Sequence, residues 1–230
     1  EITCRDWSSD VCSSDLAYVT WETSDETTSL IEYGTDSNGL DQTKLNNIKA
    51  QLHRFLLDGL SPSTRYYYRV SNDEGKTWYA SGTFQTAPTH MTSEEFSFVI
   101  ASDTQNDFGL GHYPRIAQAF AEMEGLAFVT YAGDMVQDHG QDSFISKGNR
   151  QVPYNQFWAN TNKFSHLYPI APNPGNHDKV NVPFEENLYQ YYFGISTAPN
   201  HNYYSFNWSR TQFVMRSEER RVGKECRSWW

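Results

Sequence analysis

The sequence predicts two domains in series, an all-β module followed by an α/β unit. Three observations point there. Residues 17–88 hold short runs of alternating apolar and polar residues, separated by polar, glycine-containing turns. Residues 89–215 alternate short apolar runs with helix-like stretches, the order of a parallel βαβ sheet. Each of those apolar runs leads directly into a residue able to bind a cation.

In the first module, Val19 and Trp21 alternate with Thr20 and Glu22. Ser29–Gly34, His53–Leu60 and Trp78–Thr86 are further strand candidates, and Tyr66, Tyr68 and Val70 alternate against Tyr67 and Arg69. Several short strands at this spacing suggest an all-β sandwich. The stretch from Leu60 to Tyr66, with Pro62 between, resembles the tyrosine corner of fibronectin type III domains. That resemblance implies a Tyr66 hydroxyl bonded backward across the loop. Such modules usually begin with a strand before the one at Val19. It is expected to be missing here, leaving a sheet edge unpaired.

In the second domain, Phe98–Ala101 reads as a buried strand. A helix follows, with Pro114 in its first turn, Ile116, Phe120 and Met123 on one face, and Gly125 as its stop. Leu126–Asp134 is a second strand ending in Gly133-Asp134, and a second helix spans about Tyr154 to Phe164. Leu167–Pro172 is a third strand, running into Gly175-Asn176-His177-Asp178. Two short strands, Tyr203–Phe206 and Thr211–Met215, close the segment. Ligands of open α/β sheets bind beyond the carboxyl ends of the strands. Asp103, Asp134, and Asn176 with His177 should therefore meet at one rim. Oxygen and imidazole donors suit Mg, Mn, Fe or Zn.

Composition narrows the function classes. Aromatic residues make up 16% of the chain, too many for a disordered polypeptide. A net charge of -10 argues against a nucleic-acid partner, and no apolar run approaches the roughly 20 residues of a membrane span. The ends read as non-native. The strings DWSSDVCSSDL and RSEERRVGKEC resemble translated sequencing adapters, so residues 1–16 and 216–230 are expected to lie outside the fold. Cys4, Cys12 and Cys226 all fall there. Setting those ends aside removes disulfides, thiolate zinc sites and cysteine nucleophiles, and leaves any metal to Asp, Asn, Gln, Glu or His.

The order Asp103-x-Gln105, Gly133-Asp134, Gly175-Asn176-His177-Asp178 resembles the calcineurin-like metallophosphoesterases. The preceding sandwich makes the chain similar to purple acid phosphatases and their bacterial relatives. The resemblance implies a fibronectin III-like β-sandwich followed by the N-terminal half of an α/β/β/α metallophosphoesterase sandwich. It implies two divalent or trivalent metal ions (Fe, Zn, Mn or Mg) and a phosphate-ester substrate. Asp103 would bind the first ion, Asp134 would bridge both, and Asn176 would bind the second. Gln105 stands where many members have a histidine ligand, and would bind more weakly through its amide oxygen. His177 would assist the leaving group. A carboxylate bridging two cations about 3.5–4 Å apart suits in-line phosphoryl displacement. The resemblance further implies a secreted or extracytoplasmic protein. Oligomeric state is not indicated.

Two departures bear on function. Gln137 occupies the position of the tyrosine that gives purple acid phosphatases their iron–phenolate colour, which puts the metal pair and an acidic optimum in question. The family's later histidines, a lone His and a G-H-x-H, have no counterpart before residue 216. The chain is therefore expected to be truncated, to bind metal weakly and to turn over little. Two other readings stay open: a phosphodiesterase or nucleotide pyrophosphatase on the same fold, and a surface-binding protein with a degenerate phosphatase domain. His112 and His139, in the loops after the strand-end aspartates, could approach substrate. Asn207-Trp208-Ser209 fits a glycosylation sequon.

Overall fold

The structure is a computed structural model that describes residues 2–5, 14–105, 112–136, 152–175, 177–178, 188–193 and 204–216. Strands β2 (Leu16–Gly34) and β3 (Gln42–Asp58) form a long antiparallel hairpin, from Leu16 opposite Asp58 to Tyr33 opposite Gln42. The runs at Val19–Trp21 and Ser29–Gly34, expected as separate strands, are two halves of β2. Register shifts separate them between Glu22 and Ser29, where the polar run Thr23–Thr28 has no apolar face to bury. The first half of β2 pairs with β1 (Ile2–Arg5); the second pairs with β4 (Arg65–Ser71), which carries β5 (Ala80–Gln85). Strands that bend in this way pass from one layer of a sandwich to the other. One core then takes Val19, Trp21, Phe55 and Leu57 from the first half and Ile31, Tyr33, Tyr68, Val70 and Phe84 from the second.

Two details of this module had sequence expectations. The Ser61 N–H donates to the Tyr66 hydroxyl oxygen at 2.9 Å, the backward bond that the tyrosine corner implies. The edge expected to be unpaired is covered: β1, within the stretch expected to lie outside the fold, runs antiparallel to β2 from Ile2 opposite Trp21 to Arg5 opposite Tyr18. Leu60 N–H also donates to the Asp15 carbonyl at 2.8 Å.

The second domain is built on a parallel sheet in the order β6 (Ser97–Ala101), β7 (Leu126–Tyr131), β8 (Ile170–Ala171). Helices α1 (Tyr113–Glu122), α2 (Val152–Thr161) and α3 (Leu188–Phe193) cover one face, where Tyr113, Ala117, Phe157, Trp158 and Phe193 pack with Val129, Tyr131 and Ile170. An antiparallel hairpin, β9 (Tyr204–Trp208) with β10 (Thr211–Met215), covers the other, setting Phe206 and Trp208 with Phe128 and Ala171. The layering is thus helix, sheet, sheet.

The α1 face differs from expectation. Its buried residues are Tyr113, Ala117 and Phe120, while Met123 is the C-cap and is 40% exposed. The helix stops one residue short of Met123, so the stripe begins one turn earlier, at Tyr113. Bonds between the domains include Thr83 N–H to the His166 carbonyl at 2.8 Å and Arg54 Nη2 to the Tyr191 carbonyl at 2.6 Å.

Candidate metal centre

Parallel pairing sets the geometry at the strand ends. β6 and β7 stop together, and the ladder continues into their loops. Ala132 N–H donates to the Ala101 carbonyl at 2.8 Å, Asp103 N–H to the Gly133 carbonyl at 3.2 Å, and Gln105 N–H to the Asp134 carbonyl at 3.3 Å. Both aspartates leave their strands in the left-handed region, Asp103 at φ 53° and Asp134 at φ 52°. Aspartate tolerates this conformation better than most residues, yet it still costs on the order of 1 kcal/mol and gathers at functional sites.

The loop after β8 reaches the same rim by close glycine packing. Gly133 has φ 110°, and a Cβ there would sit 2.9 Å from Gly175 Cα. A Cβ on Gly175 would sit 2.2 Å from Asp134 Oδ1. With both side chains absent, His177 N–H donates to Asp134 Oδ1 at 2.9 Å. Asp178 makes the return connection. Its Oδ1 accepts from Met135 N–H at 2.8 Å and Val136 N–H at 3.1 Å, and its Oδ2 accepts from Gly175 N–H at 2.7 Å. Asp178 is fully buried. Burial pushes its carboxyl up to about 6, partly opposed by the N–H bonds from Gly175, Val136 and Met135, while the nearby Asp134 charge adds to the rise.

The structure thus brings Asp103, Gln105, Asp134 and His177 onto connected loops. Asp134 is buried, Asp103 is exposed, and Ser102 Oγ donates to Asp103 Oδ2 at 2.5 Å. Asn176, Gln137 and His139 lie outside the described residues, and His112 is exposed just before α1. Among the described residues, no three His, Cys, Asp or Glu side chains gather closely enough to hold a metal ion. Gln105 carries a separate signal. Its Oε1 is buried and, among the described residues, has no hydrogen-bond partner. A buried amide oxygen without a donor is costly in a protein interior, and a cation would satisfy it. The donor set, carboxylate and amide oxygens without thiolate, also fits a hard or borderline divalent ion. Asp178 had no role in the sequence reading; its one signal there was its place as the last residue of Gly175–Asp178.

The sequence profile described as calcineurin-like phosphoesterase matches residues 96–218, more than half of the chain. The chain belongs to that family. In this calcineurin-like phosphoesterase, residues 11–86 match the profile described as purple acid phosphatase, N-terminal domain. The fold is similar to "Structure of PhoD", with a TM-score of 0.70 and 17% identity over 93% of this chain and 50% of that one. It is also similar to the purple acid phosphatase PPD1 from yellow lupin (Lupinus luteus) seeds, with a TM-score of 0.68 and 16% identity over 98% of this chain and 46% of that one. The phosphoesterase chain therefore spans about half the length of these two relatives. No curated protein matches the sequence.

Proposed function

We propose that this chain is part of a metal-dependent phosphatase that hydrolyses phosphate esters at a dinuclear centre. The observation that carries the reading is the convergence of the β6, β7 and β8 loops, with the His177 N–H on Asp134 Oδ1. In this reading Asp103, Gln105, Asp134 and Asn176 hold the ions, Asp134 between them. When bound, the two ions supply Lewis-acid charge to a phosphoryl group. The His177 imidazole would give a proton to the departing alkoxide oxygen as general acid. Ser102 Oγ, donating to Asp103 Oδ2, orients that carboxylate.

We propose that the 230 residues hold only part of the donor set and that the chain by itself binds metal weakly and turns over little. The family resemblance supports a location outside the cytoplasm. Among the described residues no helix is long and apolar enough to cross a membrane.

The test is hydrolysis of p-nitrophenyl phosphate and bis-p-nitrophenyl phosphate with Mn2+ added, by the full natural reading frame and its Asp134→Ala variant. The reading expects metal-dependent turnover of the first substrate that Asp134→Ala abolishes. Turnover that survives Asp134→Ala overturns the role of Asp134, and preference for the second substrate favours a phosphodiesterase. Robust metal-dependent turnover by the 230-residue chain alone would contradict the partial-site reading.

A further inference from the structure

Asp178 is a buried carboxylate that spends both oxygens on backbone amides of two different loops: Met135 and Val136 after β7, and Gly175 after β8. Its own carbonyl accepts the Tyr154 hydroxyl of α2 at 3.2 Å. A buried carboxylate carries a large desolvation cost, offset here by those N–H bonds. The hydrogen bonds run both ways. Asp134, on the β7 loop, accepts from His177 on the β8 loop, while Asp178, on the β8 loop, accepts from the residues that follow Asp134. Asp134 Oδ1 is thereby occupied, and among the described residues no donor reaches its Oδ2.

We infer that Asp178 is a positioning residue of the metal centre. It clamps Gly175 and His177 against Asp134, so that Oδ1 stays on the His177 N–H and Oδ2 is left to a cation. This rests on the proposed function. Residues that orient metal ligands without touching the metal typically change affinity by about ten- to a hundredfold when altered.

Asn at this position keeps the shape and one acceptor oxygen, which can still serve Met135 and Val136. Its Nδ2 would then oppose the Gly175 N–H, donor against donor, and release the β8 loop. Asp178→Ser removes both arms and tests the clamp if Asp178→Asn folds poorly.

The experiment uses the 230-residue chain and both variants. Amide hydrogen exchange without metal reads the His177 N–H, and loss of the free-ion EPR signal reads Mn2+ binding. We expect His177 exchange to accelerate about tenfold or more in Asp178→Asn, because local opening is easier, while β4 and β5 amides exchange as in the parent chain. Mn2+ affinity is expected to fall by about ten- to a hundredfold. His177 exchange at the parent rate in both variants overturns the inference whether or not Mn2+ binds, and so does unchanged Mn2+ affinity. If the unaltered chain takes up no Mn2+, the proposed function fails, while the exchange measurement still decides the role of Asp178.

Discussion

Asp134 and Asp178 hold each other's loops. The first accepts the N–H of His177, the neighbour of Asp178, and the second accepts the N–H of Met135, the neighbour of Asp134. The exchange requires the two backbones to touch, and Gly175 makes that possible. In Gly175→Ala the new Cβ would meet Asp134 Oδ1 at 2.2 Å and Asp134 N at 2.5 Å. Turning the carboxylate relieves only the first of these contacts. We expect a loss of about 1–3 kcal/mol, as for overpacking elsewhere, measured by urea unfolding. Stability equal to that of the parent chain would show that the loops yield freely.

Tyr66→Phe isolates the tyrosine corner. The ring stacking on Phe84, with centroids 5.5 Å apart, survives the change, while the hydroxyl that accepts from Ser61 N–H is lost. The expected cost is about 1 kcal/mol, the net worth of one such bond. Unfolding midpoints of the two proteins that coincide would remove the bond from the account of the module's stability.

His53 makes the sandwich sensitive to mild acid. It is buried under Trp21, with Nε2 3.1 Å from both the Thr23 and Thr27 hydroxyls, and burial holds its imidazole below the usual 6.5. The unfolded chain therefore takes up a proton at higher pH than the folded one. Stability is full above about 6.5 and falls as pH drops from there toward the folded value. In His53→Gln the unfolding free energy should change less between pH 7.5 and 5.5 than in the parent; equal changes would exclude His53 as the source.

A second pH dependence lies in the turn after β4. Bonds from Thr77 N–H and the Ser71 and Thr77 hydroxyls pull the Asp73 carboxyl down from 3.8 to about 2. A depressed carboxyl stabilises the fold above its unfolded value and loses that contribution as pH falls from about 4 toward 2. NMR titration of the Asp73 side chain checks this, and a midpoint near 4 would contradict it.

The parts of the fold that depend on local pattern were legible in the sequence. Apolar runs ending in Asp103, Asp134 and His177 announce parallel strands whose carboxyl-end loops meet at one rim, and the Leu60–Tyr66 stretch announces its bond. What was hidden depends on contacts between distant residues. Nothing local says that polar Thr23–Thr28 bends one strand rather than separating two, because a bend and a loop use the same residues. The α1 stripe was misplaced by one turn because Tyr113, beside a proline, reads as a flank until Tyr131 and Phe157 pack against it. The work of Asp178 was invisible because its partners are backbone amides, which every residue has. Gln105 was expected as a weak donor from its place in Asp103-x-Gln105, but only burial reveals that its oxygen has no partner among the described residues.

The central claim is that the β6, β7 and β8 loops form one part of a metal centre with Asp134 in its middle. Titration of the 230-residue chain with Mn2+, set beside Asp134→Ala, tests it most directly. Uptake by the parent chain should be weak but saturable, and the loss of one carboxylate ligand should reduce it about tenfold or more. Equal uptake by the two proteins, or none by the parent chain, would contradict it.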